Sequence, residues 1–149
     1  MDTLNLYNKV SKLPAGKDIF SVAVCGIAPY FRSIKPKIQD LRPGYCSVEI
    51  KNRRSVQNHL KTVHAIAMCN MAELAGGMMT DASIPEGSRW IPAGMTVKYV
   101  KKAKTNLTAV ADGSQLNWQT EGDLVVPVIV TDTSGEVVFT ADITMNIKH

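Results

Sequence analysis

Cysteines are few in this sequence, and it has neither a strong excess of charge of one sign nor a long uninterrupted apolar run. The three cysteines, Cys25, Cys46 and Cys69, are widely spaced and odd in number, which argues against a disulfide framework or a structural zinc site and for buried, reduced thiols. No metal is expected. The first residues lack the basic stub, apolar run and small-residue cleavage site of a secretory leader, since Asp2, Asn5, Asn8 and Lys9 interrupt the apolar positions. A cytoplasmic protein is the expectation. The most apolar stretch, Val63 to Thr80, is broken by Asn70, Glu73 and the Gly76-Gly77 pair, so membrane insertion is not expected. Seventeen Lys and Arg against 13 Asp and Glu leave a net charge of +4. The basic clusters, Lys51 with Arg53 and Arg54 and then Lys98 with Lys101, Lys102 and Lys104, are short. They suit a small anionic ligand better than a nucleic acid, and solvated surface is the plainer reading of each.

What is present is enough for one globular domain: 149 residues, 45% hydrophobic and 20% charged. Leu4, Leu6, Tyr7, Val10 and Leu13 recur at helical spacing over Thr3 to Leu13, until Pro14 and Gly16 stop them. A second short helix is expected over Ile19 to Ile27, before Pro29, and Ser33 to Pro36 reads as a connection. From Lys37 the period becomes that of a strand. Ile38 and Leu41 lead into Arg42-Pro43-Gly44, after which Cys46, Val48 and Ile50 alternate with polar residues, a hairpin pattern. Val63 to Thr80 is apolar on nearly every side and reads as a buried helix. Four further strands follow: Trp90 to Val100, Leu107 to Ala111, Leu124 to Val130 and Val137 to Ile147. Turns at Asp112-Gly113 and Thr133-Ser134-Gly135 separate them. This order predicts an α+β fold in which a curved antiparallel sheet wraps one long central helix.

The run Asn58-His59-Leu60-Lys61-Thr62-Val63-His64-Ala65-Ile66-Ala67-Met68-Cys69-Asn70-Met71-Ala72-Glu73-Leu74-Ala75-Gly76-Gly77 resembles the signature of hotdog-fold acyl-CoA thioesterases. In the phenylacetate-degradation and 4-hydroxybenzoyl-CoA branches an amide residue is followed six positions later by His-Gly, and an acid stands nine positions beyond the His. Asn58, His64 and Glu73 match those spacings. Ala28-Pro29-Tyr30, Arg42-Pro43-Gly44 and Tyr99-Val100-Lys101-Lys102-Ala103 are similar to a less-characterised branch of the same superfamily. The resemblance covers about residue 28 onward, dividing the chain into a helical extension, 1–32, and a hotdog domain, 33–149. Ala65 stands where the family usually has Gly, and Gly77 stands where some members carry a Thr or Ser hydroxyl.

The resemblance implies hydrolysis of an acyl-CoA thioester, with coenzyme A as part of the substrate and no separate cofactor. It makes the Ala65 N–H the oxyanion donor, because unpaired N–H groups at a helix start carry the positive end of the dipole. Asn58 then orients substrate or water, or else caps the loop, and His64 holds the helix start. Glu73 sits among Met68, Cys69, Met71, Ala72, Leu74 and Ala75, where an uncompensated carboxylate is costly unless it faces a cleft. It is the expected general base or nucleophile. Asn70, on the same helix face, bonds Glu73 or substrate. Lys101 and Lys102 are candidate contacts for the CoA phosphates. Met68, Met71, Met78 and Met79 line an acyl tunnel or fill the core, with core the plainer reading. Nine residues put Glu73 roughly 13 Å along the helix from His64, so the resemblance implies a homodimer, with a tetramer open, in which one chain's helix start meets its partner's acid. A hydratase fits the spacing less well. A non-catalytic acyl-CoA or lipid-binding dimer is the alternative from another class.

Overall fold

The computed structural model describes residues 2–149. Helix α1, Thr3–Val10, starts where the Asp2 carboxylate accepts the Asn5 N–H at 3.0 Å. It ends earlier than the apolar periodicity suggests because α2, Gly16–Ile27, folds back against it. A Cβ at Gly16 would lie 1.8 Å from the Val10 carbonyl oxygen, so glycine is what lets the two helices meet so closely. A 3-10 segment, Pro29–Ile34, occupies part of the expected connection.

The strands are β1 (Lys37–Arg42), β2 (Tyr45–Ile50), β3 (Arg89–Tyr99), β4 (Leu107–Asp112), β5 (Gly122–Thr131) and β6 (Val137–Lys148), and α3 (Ala65–Ser83) lies between β2 and β3 in sequence. All pairings are antiparallel and the spatial order is β1-β2-β4-β5-β6-β3. α3 crosses the concave face of this sheet, which is the hotdog architecture.

Burial explains the alternation read from the sequence. In β5, Val126, Val128 and Val130 face α3 and are buried, while Val125 and Ile129 point outward and are exposed. Met71, Leu74, Ala75 and Met79 of α3 close the core against them. A Cβ at Gly76 would stand 3.1 Å from Ile143 Cδ1, so the small residue there sets how deeply the helix beds into the sheet. Tyr7, Phe20 and Ile34 belong to the same apolar cluster, so the helical extension shares its core with the sheet.

The two edges of the sheet differ. At β1, the Ser21 hydroxyl accepts the Ile38 N–H at 2.8 Å, and the Tyr7 hydroxyl donates to the Gln39 carbonyl at 3.0 Å. Both side chains come from the amino-terminal helices. At the other edge β3 pairs with β6 alone. Nearly every residue of β3 is exposed, including Ile91, Met95 and Tyr99. No helix among the described residues is long and apolar enough to cross a membrane.

Candidate active site

The segment leading into α3 is pinned by its own side chains. Asn58 donates to Thr62 Oγ1 at 2.9 Å, and its carbonyl oxygen accepts the Leu60 and Thr62 N–H groups. This amide is satisfied within its loop, the capping arrangement that the sequence left open beside an orienting role. Val63 N–H donates to the Ala103 carbonyl at 2.8 Å, which ties the loop after β3 to the approach to α3.

His64 is the N-cap. Its Nδ1 accepts the Ile66 N–H at 3.0 Å, so the ring is held as an acceptor at that nitrogen and fixes the first turn. The Met68 N–H returns to the His64 carbonyl. The N–H groups of Ala65 and Ala67 have no partner among the described residues. These unpaired donors are what an oxyanion contact requires.

Beside this helix start is a hollow of about 190 Å³ bordered by Ser33, Gln57, His64, Ile66 and Asn70. Asn70 is only 7% exposed and donates to Ser33 Oγ at 3.2 Å, not to Glu73. Its carbonyl oxygen is buried without a partner, an unfilled acceptor next to unfilled donors.

Glu73 borders a different and mostly apolar cavity of about 370 Å³. Leu74, Gly77 and Met78 of α3 form one wall, Phe20, Ala23, Val24 and Ile27 of α2 the facing wall, and Trp90 and Pro92 of β3 one end. Glu73 is half-buried and forms no ion pair among the described residues. Of the four methionines named from the sequence, Met78 borders this cavity, whereas Met68, Met71 and Met79 are core. The 3-10 segment runs between the two spaces, contributing Phe31 to the Glu73 cavity and Ser33 to the helix-start hollow. One chain therefore does not bring His64 and Glu73 into a common space.

Gly77 has a visible reason for its small size. A Cβ there would lie 2.8 Å from the Trp90 ring, whose Nε1 donates to Asp81 at 3.1 Å. The indole fills the space beside the position where some thioesterases carry a hydroxyl. Trp90 and Asp81 were not singled out in the sequence. Asp81 is eight residues beyond Glu73 and so shares its side of the helix, which was the available signal.

Cys69, one turn before Glu73, is half-buried and contacts Tyr99. Burial raises its thiol pKa, and the hydrogen bond with the Tyr99 hydroxyl partly offsets the rise. Lys101 pairs with Glu136, Lys102 is exposed, and neither borders the two spaces just described. A third cleft, about 510 Å³, gathers Lys35, Lys37, Lys51 and Arg53 from separate segments. Arg53 Nε is buried there without a partner.

No curated protein matches this sequence. Among solved structures, the genomics target APC5556 is 51% identical, with 99% of this chain and 97% of that one covered and a TM-score of 0.88. PA5026 from Pseudomonas aeruginosa, named a "Probable Thioesterase", is 20% identical over 91% of this chain and 96% of its own, with a TM-score of 0.76. A thioesterase family protein from Silicibacter pomeroyi is 14% identical over 85% and 94%, with a TM-score of 0.74. The last two likenesses are of fold, and they match the hotdog architecture described above. A family model described as "Domain of unknown function (DUF4442)" matches residues 16–147, from the first turn of α2 to the end of β6, and this hotdog chain belongs to that family.

Proposed function

We propose that the protein hydrolyses an acyl-CoA thioester at a composite site between two subunits, with Glu73 as general base or nucleophile. The observation that carries this reading is a half-buried carboxylate, without an ion-pair partner among the described residues, on the wall of an apolar cavity. Thioesterase names among the structural neighbours point to the same class of chemistry.

The reaction needs a polarised carbonyl, an attacking oxygen and a departing thiolate. The unpaired Ala65 N–H of the partner subunit supplies the positive dipole for the developing oxyanion. Glu73 removes the proton of a water as that water attacks, or attacks the carbonyl itself to form an anhydride. The tetrahedral intermediate collapses by breaking its C–S bond, and coenzyme A leaves as thiolate. On the water route the thiolate takes up the proton held by Glu73. On the anhydride route a water then hydrolyses the anhydride, releasing the acid and freeing the Glu73 carboxylate. His64 keeps the oxyanion donor in place through its bond to Ile66, and Asn58 holds the preceding loop. The unfilled Asn70 oxygen accepts an amide N–H of the pantetheine arm. Lys101, after opening its pair with Glu136, and Lys102 meet the phosphates.

A homodimer follows from this assignment. Two observations support one: the long unpaired edge of β3 and the exposure of the apolar side chains of Ile66, Met95 and Tyr99. Light scattering is expected to give twice the chain mass, and full activity in a monomer would overturn the composite site.

The decisive test is a panel of acyl-CoA thioesters with thiol detection, run on wild type and Glu73→Gln. Loss of the base is expected to lower turnover by on the order of a hundredfold or more, with no fall in melting temperature because a charge at the cavity wall is removed. A destabilised but active variant would refute the mechanism. The Trp90 ring beside Gly77 favours one other reading, since it leaves no room there for a water-positioning hydroxyl. In that case the dimer binds acyl-CoA without cleaving it, and the same panel would show saturable binding and no thiol release.

A further inference from the structure

The amino-terminal helices form one wall of the Glu73 cavity, a role that neither the family description nor the signature around α3 assigns to them. We infer that α2 and the 3-10 segment after it select the acyl group, and that the group selected is neutral, apolar and longer than acetyl. This rests on the thioesterase reading and specifies its substrate.

Three features carry it. First, the cavity has the size and lining of a site for an apolar ligand, about 370 Å³ with Phe20, Val24 and Ile27 of α2 on one wall and Leu74 of α3 on the other. Second, the polarity is arranged lengthwise. Glu73 and Asp81 are eight residues apart on α3, about 12 Å along its axis at helical rise, and apolar side chains lie between them. An acyl chain whose carbonyl is next to Glu73 therefore runs toward the Trp90–Asp81 pair over apolar surface. Asp81 keeps its carboxylate at that far end, accepting from Trp90, so an acyl group ending in its own carboxylate would meet like charge. Third, the α2 wall is apolar where water would otherwise reach it: Ile27 is 66% exposed, and Ala23 is also exposed. Such side chains on the rim of a cavity gain most when an apolar ligand covers them.

The test uses a homologous series of straight-chain acyl-CoA thioesters, a dicarboxylic acyl-CoA, wild type, Ala23→Trp and Phe31→Ala. The quantity read is the ratio of kcat/KM for decanoyl-CoA to that for butanoyl-CoA. Ala23→Trp fills the cavity from α2 and is expected to lower this ratio at least about tenfold, as when roughly two methylenes lose their burial. Phe31→Ala, which widens the cavity, is expected to raise it, so the inference stays open to refutation even if the tryptophan variant fails to fold. Wild type is expected to discriminate against the dicarboxylic thioester. Ratios unchanged in both variants, or a dicarboxylic thioester used as well as its neutral counterpart, would overturn the assignment.

If wild type cleaves neither these thioesters nor any other member of the acyl-CoA panel, the proposed function fails, and the cavity is tested separately. Cleavage of other acyl groups alone would overturn this inference and leave the proposed function standing. The thioether analogue of decanoyl-CoA, which cannot be hydrolysed, is titrated while the tryptophan fluorescence, to which Trp90 and Trp118 contribute, is followed. A saturable change that Trp90→Phe removes and Ala23→Leu, which narrows the cavity without adding a fluorophore, weakens would sustain the acyl pocket, and the absence of any change would end it.

Discussion

Gly77 shows how one missing side chain can be decided by a neighbour far away in sequence. Its Cβ position is taken by the Trp90 ring, and the bond from Trp90 to Asp81 limits how far that ring can move. Helix propensity alone favours replacing this glycine, by about 0.5 kcal/mol for serine. Forcing extra volume against a fixed ring costs about 1–3 kcal/mol, so the clash should win. Gly77→Ser is expected to lower stability in urea despite introducing the hydroxyl some thioesterases carry. Trp90→Leu should recover part of the loss in the double variant, as coupled neighbours do. Additive effects would show that the two residues do not compete for the same space. Glu73 stood out in the sequence because it is the one carboxylate in the apolar stretch Val63 to Thr80. Trp90 did not, because a tryptophan at the start of a strand looks like any other alternating position.

At the scale of elements, the start of α3 makes the oxyanion assignment testable without unfolding the protein. Ala65 is the first helical residue, where proline is well tolerated because its missing N–H has no intrahelical partner. His64 before it sits at φ −62°, ψ 140°, backbone that also suits a residue preceding proline. Ala65→Pro is therefore expected to keep its circular dichroism and melting temperature while losing turnover, and Ala65→Gly to remain active. A folded Pro variant with normal turnover would refute the role. The same helix start predicts that His64→Ala costs about 1 kcal/mol in chemical denaturation, while His64→Asn, which can still cap, costs less.

Most elements were legible from periodicity. Val63 to Thr80 predicted a buried helix and the structure has α3 over Ala65–Ser83, and the four strand stretches after it each fall on an observed strand. What periodicity could not convey was how elements pack on one another. Val22 and Ile27 read as ordinary helical apolar positions, yet they are 72% and 66% exposed, and Ile27 borders a cavity. The cleft of Lys35, Lys37, Lys51 and Arg53 was illegible for the same reason: strand pairing of β1 with β2 brings its residues together.

For the whole molecule, the core sets an alkaline limit. Cys46 is fully buried in β2, and burial first, with Asp40 second, pushes its thiol far above the ordinary 9.0. Because the folded pKa is raised, the unfolded chain releases this proton first. The contribution is thus complete below about pH 9 and is lost as pH rises toward the folded value, with a slope near 1.4 kcal/mol per pH unit for one proton. Denaturation midpoints measured from pH 7 to 11 should decline above 9 in wild type and decline less steeply in Cys46→Ala. Equal slopes would mean that other groups set the limit.

The unequal sheet edges have a consequence for how copies can meet. Two open edges on one sheet would let chains join head to tail without end, the geometry of a growing fibre. Here the hydroxyls of Ser21 and Tyr7 already occupy the Ile38 N–H and Gln39 carbonyl of β1, so β3 is the edge left to recruit another strand. A β3 edge can then meet only another β3, across a twofold axis, and that contact consumes both open edges at once. Growth stops after a single addition. Removing the two hydroxyls, as in Ser21→Ala with Tyr7→Phe, should reopen β1 and convert the proposed self-limiting pair into a concentration-dependent polymer. Sedimentation that still gave one discrete species across a wide concentration range would show that the edge is closed by other means.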